Sequence, residues 1–123
     1  AQGPCVIKRL RGCGAGCEYV AITPEGDIYP CHQFVGNEDY KLGSLYDGTF
    51  DQELSGRFAG LNIYTREECR DCWARFYCSG GCSASNLLVN GDIKKPHRVG
   101  CELERKRLEC AIALRAIAAG MAE

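Results

Sequence analysis

Cys69-Arg70-Asp71-Cys72-Trp73-Ala74-Arg75-Phe76-Tyr77-Cys78-Ser79-Gly80-Gly81-Cys82 decides how the rest of the chain is read. Four thiols fall within fourteen residues, and Cys101 follows beyond an insert. Packing alone does not require such a density of sulfur. A Cys-x2-Cys turn sets both thiolates on one side of a tight backbone curve, within reach of one metal core. A bare Cys-x2-Cys is a weak signal. A second pair at a different spacing, followed by a downstream cysteine, points strongly to a metal or an iron–sulfur centre.

The bulk numbers agree. The chain has 123 residues, enough for one ordinary domain, and ten of them are cysteine. Ordering each residue costs about 1.5 kcal/mol, which a small, loop-rich core barely offsets, so covalent or metallic staples are expected. The even cysteine count leaves a secreted disulfide framework as a rival, but the clustering favours metal in a reducing cytoplasm. Fifteen Lys and Arg oppose sixteen Asp and Glu, a net charge of −1. The basic excess of a nucleic-acid binder is missing. No run of about 18 apolar residues exists, so no membrane partner is expected. The most apolar stretch, Cys110 to Ala119, is interrupted by Arg115. The opening Ala-Gln-Gly-Pro-Cys is no signal peptide and has no Met, so the chain reads as cut from something longer.

Local patterns predict a small, loop-rich α+β fold: a β-hairpin, short helices and a C-terminal helix, organised around two metal clusters. Glu18 to Thr23 is β-rich, Pro24-Glu25-Gly26-Asp27 is turn chemistry, and Ile28-Tyr29-Pro30-Cys31 returns. This is a hairpin that delivers Cys31 at its end. Residues 36–48 read as loop with at most a short strand. Phe50, Leu54, Phe58 and Leu61 predict one face of a short helix. Thr65-x2-Glu68 resembles a capping box before Cys69. Ser83 to Val89 reads as a helix stopped by Asn90-Gly91. From Cys101 a longer helix carries the apolar stripe Leu103, Leu108, Ala111, Ile112, Leu114 and Ile117, turns its charges to solvent, and stops at Gly120. Cys110 lies on the apolar side and reads as a buried small hydrophobe. Trp73, Phe76 and Tyr77 read as core filler between ligands. His32 and His97 are not expected to ligate, and Gly80-Gly81 either donate amides to sulfur or make a turn.

Cys69, Cys72 and Cys78 can come from one compact loop, with Cys101 completing the set. Gly80-Gly81 can turn Cys82 towards a second centre, with Cys31, Cys13 and either Cys5 or Cys17. Spacing alone does not fix that partition.

The pattern Cys13-x12-Gly26-x4-Cys31, then Cys69-x2-Cys72-x5-Cys78-x3-Cys82, then Cys101 resembles the seven-cysteine SPASM domain. That domain is the carboxy-terminal extension of many radical S-adenosylmethionine peptide-modifying enzymes. Gly12-Cys-Gly-Ala-Gly16, Thr23-Pro-Glu-Gly-Asp-Ile-Tyr-Pro-Cys-His-Gln-Phe-Val-Gly36, Cys78-Ser-Gly-Gly-Cys82, Cys101-Glu-Leu-Glu-Arg-Lys-Arg107 and Glu109-Cys-Ala-Ile112 are similar to the maturases of six-cysteine (SCIFF) peptides, which build thioether cross-links. The resemblance implies one SPASM-type domain over residues 1–123, the C-terminal fragment of a larger enzyme. It implies two auxiliary 4Fe–4S clusters, held near a cysteine-rich precursor peptide. Cys69, Cys72, Cys78 and Cys101 match the ligands of one cluster. Cys13, Cys31 and Cys82 match three ligands of the other, with Cys5 as the upstream fourth, Cys17 as its competitor, or neither where one iron is left open for substrate sulfur. S-adenosylmethionine and a third 4Fe–4S cluster would belong to a core domain in cis. The Cys-x3-Cys-x2-Cys motif of that core is absent: Val20 follows Cys13-x3-Cys17 where the third cysteine would stand, and Ser85 follows Cys78-x3-Cys82. No catalytic residue is therefore assigned. The alternatives are a ferredoxin-like electron-transfer module and a structural zinc domain.

Overall fold

The computed structural model describes residues 9–121. The expected hairpin is present: β1 (Ala21–Ile22) pairs antiparallel with β2 (Asp27–Tyr29), Ala21 opposite Tyr29. Thr23 stabilises the turn, its hydroxyl accepting from the amide of Asp27 at 3.2 Å. The sheet then continues where loop was expected. β3 (Gly43–Ser44) pairs with β2, and β4 (Thr49–Phe50) with β3, giving an antiparallel order β1-β2-β3-β4. Strands of two or three residues carry too little alternation to be read from sequence. The Asp27–Lys41 ion pair at 2.9 Å ties β2 to the segment entering β3.

α1 (Gln52–Ala59) starts at Asp51, whose carboxylate accepts the amide of Leu54 at 2.9 Å. Leu54 and Phe58 are buried on the expected face. Phe50 is not on it: it belongs to β4 and is 40% exposed, because the Asp51 cap starts the helix after it. Phe34, Tyr40 and Phe58 form the aromatic centre, with Phe34 and Phe58 edge-on at 5.5 Å. Ile28, Tyr29, Leu42, Leu61 and Ile93 surround them, and buried Cys31 belongs to the same cluster. Gly16 closes over this core at φ +82, where a Cβ would lie 2.6 Å from Phe58 Cγ. The Gly16 carbonyl accepts the Ser55 hydroxyl at 2.7 Å, fixing the amino-terminal loop to α1.

The remaining helices are α2 (Arg75–Cys78), α3 (Ser83–Asn90) and α4 (Arg98–Ala118). Gly91 ends α3 in the left-handed conformation, as Asn90-Gly91 predicts. α4 begins three residues before Cys101. Its charged side chains pair along the helix, Glu104 with Arg107 and Arg98 with Glu102, as a solvated face does. The apolar stripe is not the core face expected of it. Leu108 is buried, whereas Leu103, Ile112, Leu114 and Ile117 are exposed, because among the described residues no layer packs along the outer half of this helix. Cys110 is likewise exposed, not buried. Trp73 and Tyr77 also stand largely in solvent instead of filling the core. No described helix is long and apolar enough to cross a membrane.

Phe58 joins the sheet, the amino-terminal loop and the aromatic centre. Phe58→Ala is expected to cost about 3–5 kcal/mol. A fall in the denaturation midpoint checks this, and an unchanged midpoint would remove Phe58 from the core.

Candidate iron–sulfur centre

All nine described cysteines are free thiols, Cys13, Cys17, Cys31, Cys69, Cys72, Cys78, Cys82, Cys101 and Cys110. The disulfide framework is not what this chain forms at those positions. Cys5 lies outside the described residues.

The first set is built from three pieces of backbone. A 3-10 turn, Glu67–Cys69, presents Cys69. It is not closed by a capping box, because the Thr65 hydroxyl turns back and donates to the carbonyl of Gly60 at 2.7 Å. The amide of Cys72 then bonds the carbonyl of Cys69 at 3.2 Å, and that of Arg75 bonds the carbonyl of Cys72 at 3.2 Å. α2 ends on Cys78. Cys101 comes from the first turn of α4, its amide bonded to the carbonyl of His97 at 3.0 Å. Cys69, Cys72, Cys78 and Cys101 all line one cavity of about 260 Å³.

A buried polar network brings Cys101 to its partners across the insert. Asn86 is 1% exposed, and its side-chain oxygen accepts the amide of His97, the residue before α4, at 2.9 Å. Asn90 donates to the carbonyls of Lys95 and Pro96 at 2.9 and 3.0 Å. Arg66 is 3% exposed; its guanidinium donates to the carbonyls of Ile93 and Lys94, each at 2.7 Å, and to the Ser83 hydroxyl at 3.1 Å. Gly80 explains itself beside this arginine: at φ +89, a Cβ there would lie 2.8 Å from Arg66 Nε. Sequence reading missed Arg66 and Asn86, since nothing in their identity separates a buried clamp from a surface side chain, and it read the exposed Asn90 only as part of a helix stop.

Burial pushes the Cys69 thiol up to about 11; the Arg66 charge opposes this, and the neighbouring sulfurs of Cys101, Cys78 and Cys72 add to it. Cys101 is raised by burial and by Cys78, against the pull of Arg105. Partial burial also works to raise Cys82, but the amide and hydroxyl of Ser85, the amide of Ala84 and the Gln33 side chain outweigh it, and the thiol falls below its ordinary value. Cys82 stands at the amino-terminal cap of α3, where free amides favour a thiolate.

Three segments carrying the second set converge more loosely. Cys31 follows the hairpin and precedes the 3-10 turn His32–Phe34. Gln33 Nε2 donates to Cys82 Sγ at 3.7 Å, bringing Cys82 beside that turn. The amide of Gly16 bonds the carbonyl of Pro30 at 3.1 Å, and Gly12 packs against Ser79, so the loop bearing Cys13 runs between the Cys31 and Cys82 segments. Cys17 is turned towards Arg11, which donates to its sulfur at 3.6 Å.

The first cavity suits a polynuclear iron–sulfur group. It has four thiols on its wall, and Arg75, which also lines it, carries a buried Nε without a hydrogen-bond partner. A hydrogen bond from that N–H to a cluster sulfur would satisfy it. A zinc tetrahedron instead needs thiolates converging on one ion at about 2.3 Å. Among the described residues no group of three or more His, Cys, Asp or Glu is drawn together tightly enough for one ion.

Residues 13–73 match the SPASM family, described as an iron–sulfur cluster-binding domain. The chain carries a SPASM domain. It is 32% identical over 96 residues to the mycofactocin maturase MftC of Mycobacterium ulcerans, covering 73% of this chain and 25% of that protein. It is 31% identical over 84 residues to the PqqA peptide cyclase of Xanthomonas axonopodis pv. citri, covering 64% of this chain and 22% of that protein. Over 86 residues it is 28% identical to the serine-type anaerobic sulfatase-maturating enzyme of Klebsiella aerogenes, covering 68% of this chain and 20% of that protein. The SPASM chain thus spans a quarter or less of the length of these relatives. The family it matches is one of iron–sulfur cluster binding.

In the metal-free SPASM chain at neutral pH, the lowered, exposed Cys82 is expected to alkylate well before Cys69, whose thiolate fraction grows only as pH approaches about 11. Peptide mass mapping after timed iodoacetamide treatment checks the order. Equal labelling of the two would contradict the described environments.

Proposed function

We propose that this SPASM chain holds two auxiliary 4Fe–4S clusters within a larger radical S-adenosylmethionine maturase of the cytoplasm. That maturase would form thioether cross-links in a cysteine-rich precursor peptide. Cys69, Cys72, Cys78 and Cys101 hold one cluster; Cys13, Cys31 and Cys82 hold the other, with Cys5 as its fourth ligand. The observation that carries the reading is the gathering of four reduced thiols from three elements around one cavity. The S-adenosylmethionine site and its own cluster would belong to a core domain in the same polypeptide, as the short span against the relatives supports.

When bound, such clusters supply one-electron chemistry and iron that can hold a thiolate. The chain's own residues prepare for this in three ways. Cysteines on short turns present their sulfurs without long side chains to order. The Arg66, Asn86 and Asn90 clamp holds the insert, so that Cys101 meets the Cys69–Cys78 loop. Arg75, on the wall of the same cavity, keeps a buried N–H without a partner.

Anaerobic reconstitution is expected to yield iron and sulfide for two four-iron clusters per chain. Cys101→Ala should lose about half of that iron, and Cys110→Ala, at an exposed position, none. Iron at one cluster or fewer in the parent chain would contradict the proposal, as would full loading of Cys101→Ala. The finer reading predicts that the full-length enzyme, given a cysteine-rich precursor, S-adenosylmethionine and a reductant, removes a pair of hydrogens per cross-link. An unchanged precursor mass under those conditions would count against thioether formation.

A further inference from the structure

Arg66 is a buried cation that makes no ion pair among the described residues, although the charges of Asp92 and Glu68 reach it. At 3% exposure its guanidinium is removed from water, yet no carboxylate lies within ion-pair distance among the described residues. The partners it has are neutral: two carbonyls and a hydroxyl. A buried charge with only neutral partners is costly, and it persists where an anion nearby offsets it. The carbonyl of Arg66 accepts the amide of Cys69 at 3.0 Å, which joins this residue directly to the loop that carries the first three thiols. Gly80, two residues after Cys78, leaves room for the guanidinium to press against the loop that lines the cavity.

The charges on the cavity wall act differently. Lys95 and Arg98 are exposed, and water and salt screen them. Glu68, Glu104, Arg75 and Arg105 also line it, and Glu104 is paired with Arg107. Arg66 is not on the wall itself: it is buried behind Gly80, which is, where a charge acts through a low dielectric.

We propose that Arg66 sets the reduction potential of the centre held by Cys69, Cys72, Cys78 and Cys101, by placing an unscreened positive charge behind it. The inference rests on the two-centre reading above. Four thiolates make that centre anionic, and a one-electron reductant adds a further negative charge with no bond made or broken. A fixed cation favours the reduced form and raises the potential; net charge is one of the levers a protein has on such centres.

The test is an EPR-monitored redox titration of the anaerobically reconstituted full-length protein, with Cys31→Ala in the background to remove the second centre and the cluster cysteines of the core domain replaced by alanine to remove the third. Arg66→Met is expected to weaken one-electron reduction about tenfold, about 59 mV for a one-electron couple. Arg66→Lys, which keeps the charge but not the fork of hydrogen bonds, should stay near the parent potential while melting at a lower temperature. A purely structural clamp would lower both melting temperatures and separate neither potential. An unshifted potential in Arg66→Met with its cluster intact overturns the proposal, as does an equal fall in Arg66→Lys. Loss of the cluster from both variants makes Arg66 a clamp only and overturns it too. Cluster loss in Arg66→Met alone, with Arg66→Lys at the parent potential, supports a required charge. A parent protein with no EPR signal from this centre sinks the two-centre reading itself, which none of the variant outcomes does.

Discussion

Sulfurs far apart along the chain must reach one cavity, and the rest of the structure is arranged to allow it. Cys69, Cys72 and Cys78 arrive together on a 3-10 turn and one short helix, which local hydrogen bonding is enough to fix. Cys101 does not. It lies beyond α3 and a polar insert, and its position depends on Asn86, Asn90 and Arg66 holding the backbone of residues 93–97. Buried polar side chains are expensive unless satisfied, and the two buried ones, Arg66 and Asn86, satisfy themselves on backbone carbonyls and an amide.

The electrostatics follow from that gathering. Crowding thiols into a partly desolvated wall keeps Cys69 and Cys101 protonated at neutral pH in the absence of metal. Taking up a cationic metal group releases those protons and relieves the like-charge penalty together. Cys82 is handled in the opposite way, by helix-terminal amides that favour its thiolate. Cys69 and Cys82 thus sit in different environments: one is desolvated and beside an arginine, the other exposed and fed by amide donors. Their ligand-exchange behaviour should differ accordingly.

Much of this was legible in the sequence because cysteine spacing is a discrete signal. The hairpin was readable from Pro24-Glu25-Gly26-Asp27, α3 from its Asn90-Gly91 stop, and the SPASM pattern from the thiols and the strings around them. β3 and β4 were not, because two-residue strands have no period. Thr65-x2-Glu68 misled because a threonine hydroxyl serves a preceding carbonyl as readily as a following amide. The α4 stripe and Cys110 misled for a different reason: helical periodicity shows which residues share a face, not whether anything covers that face. Arg66 was invisible, since a buried arginine has the same letter as a solvated one.

Iron anomalous diffraction from anaerobically grown crystals tests the central claim most directly. A four-iron peak inside the cavity lined by Cys69, Cys72, Cys78 and Cys101 is the expected result, with each of those sulfurs bonded to its own iron. A single-metal peak there, or iron bound with Cys101 left out of its ligand shell, would contradict it.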